Sequence, residues 1–142
     1  MLNLPITLRD IYLARQTIAG LIRRTPLVLS RPLSEQSSAN VYLKLENLQE
    51  TGAFKIRGAA NRLLSLTAEE RQRGVVTVST GNHGRAVAFV AQKLGMRAII
   101  CVPDLVLPHK VAAMRSLGAE VVVSGHTQDD AEMHATALAK QQ

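Results

Sequence analysis

Tryptophan is absent from the sequence, and two phenylalanines and two tyrosines bring the aromatic share of its 142 residues to only 3%. That scarcity removes the base-stacking platforms used for single-stranded nucleic acid. The formal charge of +6 rests largely on arginines scattered along the chain rather than gathered in one patch. No nucleic-acid partner is expected, and the basic excess suits solubility and the attraction of small anions. The single cysteine, Cys101, cannot form an internal disulfide. Its place in the run Ala98-Ile99-Ile100-Cys101-Val102 makes it a buried strand residue of a protein in a reducing compartment. No apolar run approaches the roughly 20 residues that span a bilayer. The first residues also lack the basic, apolar and cleavage regions of a secretory leader. A cytoplasmic protein with no membrane partner is expected. The four histidines, His83, His109, His126 and His134, form no H-x-x-x-H pair or Cys/His cluster, so no metal site is expected either.

What is present is a balanced composition, 46% hydrophobic and 20% charged, enough for a packed core. Thr7 opens a segment in which Ile11, Ala14, Ile18, Leu21 and Ile22 recur at helical spacing, predicting a helix over 8–24 that Thr25-Pro26 ends. Short strands are expected at 27–29 and 41–45, with a polar stretch at 34–40 between them, then a helix over 54–65. Thr67 and Glu70 spell a capping box for a short helix stopped by Gly74. From Val75 the pattern turns regular, with strands at 75–79, 97–102 and 120–124 alternating with helices over 82–94, 108–117 and 128–140. Continuous apolar strands alternating with helices imply a parallel sheet covered on both faces and joined by right-handed crossovers. Ligands of such sheets bind beyond the carboxyl ends of the strands.

Two loops carry chemistry. In Gln49-Glu50-Thr51-Gly52-Ala53-Phe54-Lys55-Ile56-Arg57-Gly58 a lysine stands where a turn-rich loop gives way to an apolar helix. A rigid helix start fixes the amine, and apolar Phe54 and Ile56 beside it are expected to lower its pKa by desolvation, leaving a neutral amine able to form a Schiff base. Taken alone, a lysine at a helix start is more often a solvated surface residue. The loop Ser79-Thr80-Gly81-Asn82-His83-Gly84 follows a strand and opens a helix, where free amides, the positive helix end and the hydroxyls of Ser79 and Thr80 suit a carboxylate or phosphate. By itself it reads equally well as a plain helix cap.

Together the two loops resemble those of fold-type II pyridoxal-phosphate enzymes, the group of threonine and serine dehydratases, serine racemase and cysteine synthase. The resemblance implies a three-layer parallel-sheet α/β fold of the tryptophan synthase β-like kind. It names Lys55 as the catalytic lysine joined to pyridoxal 5′-phosphate, with Phe54 beside the cofactor and Asn82 bonded to its 3′-oxygen. Ser79, Thr80, Gly81 and His83 would hold the carboxylate of a small amino-acid substrate. The implied reaction is a dehydratase (ammonia-lyase) conversion of a β-hydroxy amino acid such as threonine or serine to a 2-oxo acid and ammonia. Thr80 stands where serine racemase carries a serine base, which weakens racemisation without excluding it. The opening Leu4-Pro5-Ile6-Thr7-Leu8-Arg9-Asp10-Ile11, the run from Ser79 to Ala88 and the run Gln128-Asp129-Asp130-Ala131 look most like the subgroup associated with hydroxyectoine utilisation. Ala53 departs from the family's usual serine. A third stretch, from Pro108-His109-Lys110 to Gly118-Ala119-Glu120-Val121, also resembles the family. Its residues read as helix punctuation, with Lys110 a surface charge.

On this reading residues 1–74 belong to a larger cofactor domain and 75–142 to most of a smaller βαβαβα domain. The fold is expected to be incomplete at its C-terminus, because the family's glycine-rich phosphate loop does not follow Gly84. A homo-oligomer is expected at full length, and weak cofactor binding with little turnover for the chain as it stands. The alternative from another class is a non-catalytic α/β module that binds a small anion at 79–84, including a vestigial or regulatory truncated chain.

Overall fold

The computed structural model describes residues 6–141. Leu4 and Pro5 of the opening motif and Gln142 lie outside them. In chain order the elements are α1 (Leu8–Ile18), β1 (Leu27–Leu29), α2 (Arg31–Ser37), β2 (Tyr42–Lys44), α3 (Lys55–Leu64), α4 (Ala68–Arg73), β3 (Val75–Val78), α5 (Asn82–Leu94), β4 (Ala98–Val102), α6 (Pro108–Arg115), β5 (Glu120–Val123) and α7 (Gln128–Gln141). A single 3-10 turn, Glu46–Leu48, lies in the loop before α3.

Local chemistry sets most boundaries. Thr7 and Asp10 close a capping box on α1, and Thr67 and Glu70 close another on α4, each hydroxyl accepting the N3 amide. α1 ends at Ile18, six residues before the expected stop at Arg24, because Gly20 interrupts it; Leu21 and Ile22 still reach the core from a following turn. α2 occupies part of what reads in sequence as a polar connection. Pro32 supplies its first turn, Ser38 ends it at φ 53°, and no residue of it is buried, so no apolar stripe announces it.

β3, β4 and β5 form a parallel sheet in that order, Val75 facing Ala98 and Ile99 facing Glu120. β4 is the central strand and all five of its residues are buried, which is why Ala98–Val102 reads as an unbroken apolar run. α5 and α6 cover one face, where Val87, Val90, Val111 and Met114 meet Ile100 and Val102. α7 covers the other, packing Ala131 and Ala135 on Ile99 and Cys101. Cys101 is fully buried, and burial pushes its thiol pKa up, so it is a packing residue. α3 forms a further layer on α5, with Ile56, Ala59, Ala60 and Leu63 in the same apolar cluster. β1 and β2 pair antiparallel as a separate two-stranded ribbon. That ribbon and α1 leave Leu8, Ile11, Leu27 and Tyr42 at the surface. Among the described residues no helix is long and apolar enough to cross a membrane, and no group of three or more His, Cys, Asp or Glu is placed to hold a metal.

Candidate active site

Two helix starts carry the site. Lys55 is the first residue of α3 and Asn82 the first of α5. Ile56 turns into the core, fully buried, and thereby anchors the first turn of α3 while Lys55 faces outward. The apolar enclosure expected around the lysine is not formed. Lys55 is exposed, and Phe54 is 58% exposed with its ring centroid 5.2 Å from Nζ, placed as a cation–π partner. Adjacent residues at the start of a helix point to different sides of it, so Ile56 cannot both hold the core and cover the amine.

The loop before α3 is fixed by a network built on Glu46. Arg57 donates to both of its carboxylate oxygens, Nε to Oε2 at 2.8 Å and Nη2 to Oε1 at 2.7 Å. The Thr25 hydroxyl donates to Oε1 at 2.6 Å, and Gln49 Nε2 to Oε2 at 3.3 Å. Gln49 also donates to the Arg23 carbonyl, and Lys44 Nζ to the Thr25 carbonyl. Glu46 thus ties Thr25, in the segment between α1 and β1, to the loop and the first turn of α3, two residues from Lys55. The bond from Arg57 leads a set of interactions that hold the Glu46 carboxyl down at about 2. The same loop buries Gln49 Oε1 and Thr51 Oγ1 without partners, an unfavourable feature that the Glu46 network offsets.

Glu46→Gln is expected to cost about 2 kcal/mol of unfolding free energy near neutral pH, since it weakens a charge-assisted pair that is mostly out of solvent. The folded pKa lies below the ordinary glutamate value of 4.5, so the ionised group's contribution is complete above that value and is lost as pH falls towards 2. Urea titrations of both proteins should therefore converge across that window. A gap that stays constant down to pH 2.5 would remove Glu46 from this role.

In the second loop the Ser79 hydroxyl, 8% exposed, accepts from the amides of Gly84 at 2.9 Å and Gly81 at 3.3 Å. It shapes the loop from within. Gly84 is buried at the packing of α5 on the sheet, where a Cβ would meet Met114 Sδ at 2.8 Å. Gly81 is the glycine that opens the loop outward: a Cβ there meets no atom within 4 Å. Among the described residues the backbone amides of Thr80, Asn82 and His83 and the side chain of Asn82 have no hydrogen-bond partner. With the positive end of the 13-residue α5 they form an anion-binding arrangement.

His83 joins the two loops. Its pKa is lowered first by partial desolvation and then by the positive charge of Lys55, which places the two side chains within electrostatic reach. His83 also lines, with Gly58, Leu63 and Val87, a cleft of about 480 Å³ that runs from α3 and α5 along β3. Of the residues singled out in the sequence, Lys55, Phe54, Thr80, Gly81, Asn82 and His83 stand at these two helix starts, while Ser79 faces inward. Lys110 is exposed in the first turn of α6. The residues missed in sequence are Glu46, Arg57, Thr25 and Gln49. Glu46 and Arg57 are eleven apart across a loop, and no helical or strand spacing links them.

A flat aldehyde cofactor fits what is present in part. An exposed amine, an unpartnered amide side chain and a bare Cα with open space before it are available, whereas no glycine-rich phosphate cradle is found among the described residues. Residues 18–142 match the family described as pyridoxal-phosphate dependent enzyme. The chain is 47% identical over 126 residues to an L-threonine ammonia-lyase of Thermotoga maritima, covering 89% of this chain and 31% of that protein. It is 40% identical over 137 residues to a catabolic L-threonine dehydratase of Staphylococcus aureus, covering 96% and 40%. The solved serine racemase of Dictyostelium discoideum superposes with a TM-score of 0.89 at 36% identity, covering 96% of this chain and 44% of that one. The chain thus spans well under half the length of the proteins it resembles.

Proposed function

Since the chain belongs to the pyridoxal-phosphate dependent enzyme family, we propose that it carries the lysine and carboxylate-binding half of a dehydratase that converts threonine or serine to a 2-oxo acid and ammonia. The likeness to an L-threonine ammonia-lyase and an L-threonine dehydratase favours this over racemisation. The observation that carries the reading is that Lys55 and the outward-facing loop of Gly81, Asn82 and His83 stand at the starts of α3 and α5, two helices packed on one another. Residues 1–74 then supply part of the larger cofactor domain and 75–142 most of the smaller one. The narrower likeness to hydroxyectoine-associated dehydratases rests on residues 4–11, 79–88 and 128–131, and a cytoplasmic homo-oligomer is the proposed setting.

Pyridoxal phosphate, when bound, supplies an electron sink that acidifies the substrate α-carbon. Lys55 would hold the group covalently and, once displaced by the substrate's amino group, its freed Nζ would take the α-proton. The free amides of Thr80, Asn82 and His83 and the Thr80 hydroxyl orient the substrate carboxylate at the positive end of α5. The unpartnered side chain of Asn82 would be the donor to a ring oxygen of the cofactor. The Ser79 hydroxyl keeps the loop in this shape from inside. Because Lys55 is exposed and lacks an apolar wall here, the chain as it stands should hold the cofactor weakly and turn over little.

Incubation with pyridoxal phosphate, borohydride reduction and peptide mapping should place the adduct on Lys55. Equal labelling of Lys44, Lys93, Lys110 and Lys140 would overturn the reading. Carboxylate binding at 79–84 with no preferred adduct would instead favour a non-catalytic anion-binding module, for which the openness of Lys55 is the motivating observation.

A further inference from the structure

The loops after β4 and β5 hold a histidine–carboxylate pair that the candidate active site does not use. β4 leads into α6 on one face of the sheet, whereas β5, its neighbour, leads into α7 on the other. Adjacent strands whose outgoing loops part in this way mark the topological switch point of an open α/β sheet, where ligands meet the carboxyl ends of the strands. β3 and β4 both lead to helices on the same face, so the loop at 79–84 lies elsewhere. At the switch point the loops are joined: Asp104, two residues past β4, and His126, three past β5, approach to 2.5 Å between Oδ2 and Nδ1.

Both ends of the pair are fixed through the backbone. The Asp104 amide donates to the Gly125 carbonyl at 3.0 Å, and the Ser124 amide to the Val102 carbonyl at 2.9 Å. The Asp130 carboxylate accepts the amides of His126 at 3.0 Å and Thr127 at 2.9 Å, while the Thr127 hydroxyl accepts the Asp130 amide. Gly125 makes this turn at φ 73°, where a Cβ would run into the Asp130 side chain. The imidazole is therefore held by Nδ1 on one side while the ring, 85% exposed, turns Nε2 to solvent without a partner among the described residues. A carboxylate on Nδ1 keeps the proton there and leaves the lone pair on Nε2, the arrangement that makes an imidazole a nucleophile. None of His83, His109 and His134 has such a partner among the described residues.

We propose that His126 is a covalent modification site, its Nε2 held by Asp104 for attack on small uncharged conjugated carbonyl compounds of the 2-enal class. The charge around the ring selects that class. Asp104 and Asp130, with Asp129 in the same first turn of α7, repel phosphoryl donors and other anions. The usual competitor for such electrophiles, a thiol, is withdrawn, because Cys101 is fully buried. In the step itself the Nε2 lone pair forms a bond to the β-carbon of the enal. The C=C electron pair passes to the α-carbon, which takes one proton from solvent. Nothing leaves, and the ring becomes an imidazolium whose Nδ1–H faces the Asp104 carboxylate. Neither helix start of the candidate active site takes part.

Treatment of the 142-residue chain with trans-2-hexenal, borohydride reduction of the adducts and peptide mapping over time tests this, with the other three histidines as internal controls. His126 should be modified at least about fivefold faster than each of them. His83, whose ring is held towards the neutral form, is the most stringent comparison. Asp104→Ala should remove that advantage while leaving the rates at His109 and His134 unchanged, since the Asp104 bond to Gly125 is made by the backbone. Long-range ¹⁵N–¹H NMR on the untreated chain reads the tautomer directly, and the neutral His126 ring should carry its proton on Nδ1. Three results overturn the proposal: the proton on Nε2 in the parent chain, equal rates at the four histidines, or a His126 rate that Asp104→Ala leaves unchanged.

Discussion

Lys55→Ala is expected to abolish borohydride-fixed retention of pyridoxal phosphate and, in a chain of the length of its relatives, to lower kcat by about 10³-fold or more. The size follows from the two tasks given to one amine, covalent retention and proton abstraction, neither of which a methyl group can perform. Folding should be unaffected, because Lys55 is exposed while its neighbour Ile56 holds α3 to the core. A second consequence needs no cofactor. The positive charge of Lys55 contributes to the lowered pKa of His83, after desolvation, so removing it should raise that pKa. The His83 ring resonances, followed by NMR against pH in the unliganded chain, give the measurement. Retained fixed cofactor at another lysine would separate Lys55 from the chemistry, and an unmoved His83 titration would separate the two helix starts from one another.

The parts of this site legible in sequence are those whose chemistry is local. Lys55 at a helix start, the glycine-punctuated turn at 79–84 and the βαβαβα alternation each lie within one short stretch, where spacing and side-chain type suffice. Two expectations met physical limits. The apolar wall around Lys55 was inferred from sequence neighbours, but helical geometry sends Ile56 inward and leaves Phe54 in solvent. Ser79 reads as a ligand-facing member of the loop, yet its hydroxyl caps the turn from within, and Gly84, which reads only as part of the turn, is a packing contact. The Glu46 network was illegible because it joins Thr25, Glu46 and Arg57 across intervals that only the folded loop brings together. α2 escaped notice because it buries nothing, and amphipathic periodicity is a record of burial.

The packing role of Gly84 leads to a loss of stability that also disturbs the site. In an ordinary helix interior, glycine to alanine stabilises by about 0.5–1 kcal/mol, because the unfolded chain loses less entropy. Gly84→Ala should reverse that sign. Its Cβ would lie 2.8 Å from Met114 Sδ, 3.1 Å from the Ser79 carbonyl oxygen and 3.2 Å from Ile100 Cγ2. Met114 is 1% exposed and Ile100 fully buried, so neither can swing into solvent, and the Ser79 oxygen belongs to the backbone. Relief must come from moving α5 off the sheet, at about 1–3 kcal/mol. The same movement stretches the 2.9 Å bond from the Gly84 amide to the Ser79 hydroxyl and so opens the loop that presents Asn82 and His83. Gly81→Ala provides the contrast, since a methyl group there meets no atom within 4 Å. It should cost far less stability while obstructing the approach of an anion. Urea midpoints for the two variants, read beside carboxylate binding, distinguish these roles: Gly84→Ala as stable as the parent would show that the close packing of α5 on β4 and α6 does not require a bare Cα.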